Sequence, residues 1–222
     1  VDEKIIKKSL VLPFRFLTAI EEIEKLNGNG VKETLQALST ATEFSLSNVP
    51  RLEGKTLVVL DTSGSMSGQP IKIGSVFAAA FLKTNDADFL TFDTDARYMT
   101  FNTSDSTISI AQRIIDKAVG GGTNFHSIFE TANLPYDRII IFSDMQGWIG
   151  YSTPTKSFKK YKERTISNPL IYSFDLQGYG SLQFPEKNVF ALAGFSDKVF
   201  DTMKLLESDP QALLHEIENI DL

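Results

Sequence analysis

The residues best placed to do chemistry lie in LVVLDTSGSMSG, residues 57–68, where Asp61, Ser63 and Ser65 follow an aliphatic run at alternate positions. A carboxylate among hydroxyls can act as a nucleophile, cradle a phosphate or hold a cation. The phosphate-loop pattern needs a lysine after its second glycine, and none follows Gly64 or Gly68 in that frame. The serine-nucleophile elbow needs glycines two residues either side of the serine, where Ser65 has Ser63 and Ser67. A phosphatase working from Asp61 would need a second acid two residues on, and Ser63 stands there. Further along, Thr123 follows the run Gly120, Gly121, Gly122, and Asp144 closes the apolar run RIIIFSD. These side chains offer only oxygen, with His126 the one nitrogen nearby, and an oxygen set suits a hard cation, Mg2+ or Mn2+. Gly64 lets positions 61, 63 and 65 converge, and the triple glycine lets a second loop approach closely. Each residue also has an ordinary role open to it: Asp61, Ser63, Ser65 and Thr123 as helix caps, Asp144 as a strand-end turn.

The elements that must position these groups alternate in type. TLVVLD (56–61) and DRIIIFSD (137–144) are apolar on both faces, as in strands buried within a parallel sheet. DFLTFD (88–93) and RYMTF (97–101) are spaced as a hairpin, and PLIYSFDL (169–176) and NVFALAGF (188–195) read as further strands. Helical periodicity runs over 13–26, 31–44, 70–83, 107–118, 155–165, 197–208 and 210–220, with a short helix ending near Ala132. Alternating strands and helices predict an α/β fold: a doubly wound, mostly parallel sheet with one antiparallel edge strand, helices on both faces, and an N-terminal helical extension. Ligands of such sheets sit beyond the carboxyl ends of the strands, where the strand order reverses. Asp61 and Asp144 share one crevice if their strands are neighbours.

Composition narrows the classes. A hydrophobic share of 42% with 17 phenylalanines supplies a core for one large domain or a domain with an appendage. A net charge of -6 argues against a chain that coats nucleic acid by itself. The absence of cysteine excludes disulfides, thiolate zinc sites and cysteine catalysis, and a cytoplasmic setting is expected. No apolar run reaches the length of about 18 residues that a membrane span requires. The start VDEKIIKKSLVLPF lacks a signal peptide's apolar centre, and a first residue other than Met points to a fragment or a processed chain.

DTSGS at 61–65, a threonine after a glycine run and an aspartate closing a later buried strand together resemble the metal-ion-dependent adhesion site of von Willebrand factor A domains. That resemblance implies that Ser63, Ser65 and Thr123 ligate the ion, with Asp61 and Asp144 acting directly or through water. It also implies binding rather than catalysis. An ion held mainly by neutral oxygens keeps positive charge for a carboxylate or other anion brought by a partner. LPFRFLTAIEEIEKL, the helix after it, GKTLVVLDTSGSM and NVFALAGFSDKVFDTMKLL resemble the C-terminal part of the Ro autoantigen (TROVE) RNA-binding family, where a ring of helical repeats runs into a von Willebrand factor A domain. The resemblance implies a helical segment at 1–52, bridging to a ring that would precede residue 1, and a von Willebrand factor A-like domain at 53–222. In that family the ring binds small structured or misfolded RNA, so RNA is expected as a partner of a full-length protein.

Two further stretches are candidate partner contacts. Trp148 stands in the glycine-flanked loop after Asp144, and KSFKKYKER carries Lys156, Lys159, Lys160, Lys162 and Arg164 between Phe158 and Tyr161. The latter is a candidate nucleic-acid patch, or the solvated outer face of a helix with its aromatics turned inward. Asp93 and Asp95 read as a solvated hairpin turn. The expectation is a cation-dependent binding module of a Ro-like ribonucleoprotein component, not an enzyme. Alternatives are a direct RNA binder using the basic stretch and the metal together, a metal-dependent hydrolase, and an adhesin sharing the motif.

Overall fold

The computed structural model describes residues 1–147, 153–179, 183, 185–193, 198–209 and 212. Trp148 and all but one residue of the expected helix at 210–220 lie outside them. Six strands form one sheet: β1 (Thr56–Asp61), β2 (Ala87–Phe92), β3 (Ala96–Met99), β4 (Arg138–Ser143), β5 (Leu170–Asp175) and β6 (Val189–Ala193), in the order β3-β2-β1-β4-β5-β6. All neighbours are parallel except the β2–β3 hairpin, which supplies the expected antiparallel edge. The all-apolar runs predicted as central strands are central: every residue of β1 and β4 is buried.

Side chains alternate between two cores, as the period of two requires. Val58, Leu60, Ile140, Phe142, Tyr172 and Phe174 point to one face, where they meet α4 (Gln69–Thr84), α5 (Thr107–Asp116) and α8 (Lys198–Ser208). Leu57, Val59, Ile139, Ile141 and Ile171 point to the other, under α6 (Phe125–Thr131) and α7 (Pro154–Thr165). Gly74 lets α4 press on the sheet, since a Cβ there would meet Leu60 Cδ1 at 2.5 Å.

Three helices precede the sheet: α1 (Glu3–Ser9), α2 (Pro13–Glu24) and α3 (Val31–Ser45). Leu12, Phe14 and Val49 belong to the same apolar cluster as α4, with the Phe14 and Phe77 rings 5.1 Å apart. Charged pairs rim this junction, Lys72 with Glu21 at 2.7 Å and Lys83 with Glu43 at 2.9 Å. At the amino end of the central strand β4, Arg138 is 3% exposed and binds Glu207 of α8 at 2.8 Å, the Thr56 hydroxyl at 3.0 Å and the Glu53 carbonyl. Among the described residues no helix is long and apolar enough to cross a membrane.

Candidate metal centre

The strand order reverses between β1 and β4: β1 continues through α4 to β2 on one side, while β4 continues through α7 to β5 on the other. A crevice opens at the carboxyl ends of such a pair. Asp61 ends β1 and Ser143 ends β4, with Asp144 next in the chain. Register places Leu60 beside Phe142, so residues 61 and 143 are the next neighbours at the sheet's edge.

Asp61 is buried and held by two hydrogen bonds. Its Oδ1 accepts from the Ser63 N–H at 2.8 Å and its Oδ2 from the Ser143 hydroxyl at 2.5 Å. The Ser143 oxygen in turn accepts from the Met145 N–H at 2.9 Å. Met145 is left-handed (φ 58), uncommon for a side-chain-bearing residue, so the chain turns sharply just past Asp144. Burial pushes the Asp61 carboxyl up to about 6; the Ser143 and Ser63 bonds oppose the rise, and the neighbouring Asp144 charge adds to it. That neighbour has no exposed surface. Its Oδ1 accepts from the Gln146 N–H at 3.2 Å, and its Oδ2 is buried with no hydrogen-bond partner among the described residues.

The hydroxyls come from two loops. Ser63 is buried, Ser65 is exposed, and their Oγ atoms stand 3.3 Å apart. Neither caps a helix: the 3-10 turn at Gly64–Met66 and α4 both start without a side-chain cap bond. The loop at 120–124 is fastened to this one by Gly64 N–H to the Gly121 carbonyl at 3.0 Å and Gly120 N–H to the Thr62 carbonyl at 3.2 Å. It carries Thr123, which is 2% exposed and also caps nothing, because Asn124 is the α6 N-cap.

A third loop braces the second. The Gly122 N–H donates to the Thr94 hydroxyl at 3.1 Å, Asn124 Nδ2 to the Thr94 carbonyl at 2.9 Å, and the Asn124 N–H to the Asp93 carbonyl at 2.8 Å. A Cβ on Gly121 would sit 2.8 Å from the Thr94 hydroxyl, so this close approach needs glycine. Asp93, read from sequence as a solvated turn residue, is instead buried and paired with Arg97 at 2.8 Å. From the far side, Gln177 Nε2 donates to the Ser65 carbonyl at 2.8 Å. Sequence reasoning missed Ser143, Thr94 and Gln177; only the serine directly before Asp144 carried a visible signal.

The residues present fit a divalent cation. Two buried carboxylates stand close enough for one charge to perturb the other, and one oxygen has no partner among the described residues. No cluster of three or more His, Cys, Asp or Glu ligands occurs among the described residues, so hydroxyls would have to complete a shell here. The basic helix α7 has a different surface from the one its composition allows. Phe158 and Tyr161 are fully buried, Lys162 pairs with Glu186 at 2.5 Å, and Arg164 caps the Phe129 and Ala132 carbonyls of α6. Lys156, Lys159 and Lys160 remain exposed.

No family model matches the chain. Among solved structures, the Ro (RSR) protein of Deinococcus radiodurans superposes with a TM-score of 0.75 at 20% identity, over 93% of this chain and 46% of that one. The chain thus spans about half the length of that protein. Proximal thread matrix protein 1 from the mussel byssus, in a form with a zinc-occupied adhesion-site motif, aligns at 16% identity over 85% of this chain and 53% of that one, with a TM-score of 0.41. The first likeness shows the fold: the chain has the Ro-like, von Willebrand factor A-type α/β architecture.

Proposed function

We propose that this chain, sharing the fold of the Deinococcus Ro protein along nearly its whole length, is the divalent-cation-dependent binding module of a Ro-like protein. Ser63, Ser65 and Thr123 would hold Mg2+ or Mn2+, with Asp61 and Asp144 completing the shell directly or through water. The observation that carries this is the buried Asp144 Oδ2, without a hydrogen-bond partner among the described residues, beside a second buried carboxylate. An uncompensated buried charge costs several kcal/mol, and a cation between the two acids offsets both. When bound, the ion supplies positive charge to an anion from outside. The chain's own groups keep that charge available. Both Asp61 oxygens already accept hydrogen bonds from Ser63 and Ser143, which disperse its charge, while serine and threonine oxygens are neutral. The site therefore suits an acidic group of a partner, and the likeness over 93% of the chain supports the Ro-like part of the reading.

Titration of the chain with Mn2+, followed by loss of the free-ion electron paramagnetic resonance signal, tests this. One ion should bind, Mg2+ should compete for it, and Asp144→Ala should remove it with little loss of fold. Equal Mn2+ uptake by wild type and Asp144→Ala would sink the proposal.

A further inference from the structure

The turn between α2 and α3 reads KLNGNGV over residues 25–31, and Asn27 and Asn29 are the two asparagines of the sequence that precede a glycine. An asparagine can modify itself when its amide is free to rotate, the next backbone nitrogen is free to attack it, and the next residue puts no side chain in the way. The turn meets all three conditions. Residues 24–30 are exposed. Among the described residues, neither asparagine amide has a hydrogen-bond partner, and neither does the Gly28 or the Gly30 N–H. A Cβ built on either glycine would meet nothing within 4 Å. Elsewhere the same chemistry is tied down. Asn48 Nδ2 donates to the Val11 carbonyl at 2.9 Å, Asn85 Oδ1 accepts from the Leu52 N–H at 2.8 Å, and Asn124 Nδ2 donates to the Thr94 carbonyl at 2.9 Å. Gln177 also precedes a glycine, but the Gly178 N–H is held by Asp175 Oδ1 at 2.8 Å.

We infer that this turn is a site of spontaneous deamidation, with Asn27 converting before Asn29. The Gly28 nitrogen loses its proton and attacks Asn27 Cγ. The new C–N bond closes a succinimide ring as the side-chain nitrogen leaves as ammonia. Water then adds to either ring carbonyl and reopens the ring, leaving aspartate or, with the chain rerouted through the side chain, isoaspartate. Asn29 follows because Gly30 is already anchored to α3: its carbonyl accepts from the Thr34 N–H at 2.9 Å and the Thr34 hydroxyl at 2.8 Å. Each event replaces a neutral amide by a carboxylate and so adds one negative charge to the -6 of the chain. The fold can carry that charge. α3 starts without a side-chain cap bond, and a carboxylate just before it faces the positive end of the helix dipole. α2 runs antiparallel to α4, with the Phe14 ring 5.1 Å from Phe77 and Glu21 accepting from Gln69 Nε2 at 3.0 Å. The turn therefore emerges at the end of α4 that follows DTSGSMSG, and the new carboxylates accumulate toward the end of the molecule that carries the oxygen cluster.

The test incubates the full chain at body temperature and mildly alkaline pH beside a free peptide of residues 24–33. Isoelectric focusing follows charge, fragment mass spectrometry locates the change, and labelled methyl transfer by an isoaspartyl carboxyl methyltransferase detects the rerouted product. Wild type should give a band one charge more acidic, located at Asn27, and later a second at Asn29. The rate should lie within about tenfold of the peptide's, as a turn whose opening free energy is near zero allows. Asn27→Gln keeps the amide on a longer arm that closes its ring slowly; it should lose the first band, and Asn27→Gln with Asn29→Gln should lose both and the methyl label. Both positions are exposed, so these variants keep the fold. A wild type still unchanged when the peptide has converted overturns the proposal. So do acidic bands that persist in the double variant, or conversion at Asn29 ahead of Asn27.

Discussion

Replacing Asp61 by Asn should make the metal-free protein more stable and the metal-dependent protein useless. The carboxyl has an ordinary value of 3.8 and is pushed up to about 6 in the folded chain, chiefly by burial. A group whose folded value is raised binds more protons folded than unfolded, so rising pH penalises the fold. The penalty is absent below 3.8, grows through the window up to about 6 and is complete at neutral pH. Its size there is about 3 kcal/mol, which for a chain of this length corresponds to a melting temperature lower by about 6–12 °C. Asparagine keeps the shape: its oxygen can accept from the Ser63 N–H, and its amide can donate to the Ser143 hydroxyl, which accepts as readily as it donates. Melts in EDTA should therefore show Asp61→Asn above wild type at neutral pH, the gap closing as pH falls toward 4. Other carboxylates titrate alike in both proteins, so the difference isolates position 61. Saturating Mg2+ should raise wild type by about 3 kcal/mol at a hundredfold excess over its dissociation constant and leave Asp61→Asn unmoved. A variant less stable than wild type in EDTA at neutral pH would refute the reasoning, because Asp61 would then be a structural hydrogen-bonding group rather than a charge held in wait for a cation.

Thr94→Val removes the hydroxyl that accepts the Gly122 N–H; it should cost about 1 kcal/mol in urea melts and weaken Mn2+ uptake severalfold by loosening the loop that carries Thr123. Arg138→Ala strips a buried ion pair far from the site, and denaturation should record a loss of about 3 kcal/mol with Mn2+ affinity unchanged in the protein that remains folded. Reversing Lys156, Lys159 and Lys160 to Glu should leave stability and Mn2+ uptake alone. Filter binding of a labelled single-stranded RNA at about 0.15 M salt should detect no affinity in either form, because Phe158 and Tyr161, the aromatics between these lysines, are turned inside the protein and cannot stack on bases.

The sheet was legible because its two innermost strands carry apolar residues on both faces, a pattern that only central parallel strands sustain. Most helix positions followed from periodicity in the same way. The exception at the N-terminus, α1, is a single short stretch with no buried residue, fixed by the Asp2 side chain accepting from the Lys4 and Ile5 N–H groups. A local cap of that kind leaves no hydrophobic period to find. Asp93 misled for the opposite reason: aspartates favour turns, but here Arg97, four residues on across the hairpin, neutralises it and lets it go under. The candidate ligands could be named from spacing and resemblance, whereas the groups that hold them could not. Ser143 reaches Asp61 only because β4 lies against β1 in a particular register, and Thr94 reaches Gly122 only because a hairpin from the sheet's edge folds toward the glycine loop. Such contacts join residues tens of positions apart and have no period of their own. They also bear on function more directly than the motif does. DTSGS fixes which oxygens are offered, but the Ser143 bond and the turn at Met145 keep the two acids buried, fixed and short of one partner. A fold that spends about 3 kcal/mol on that arrangement without metal has a reason to recover it on binding one, and that recovery couples an ion to the shape of the crevice a partner meets.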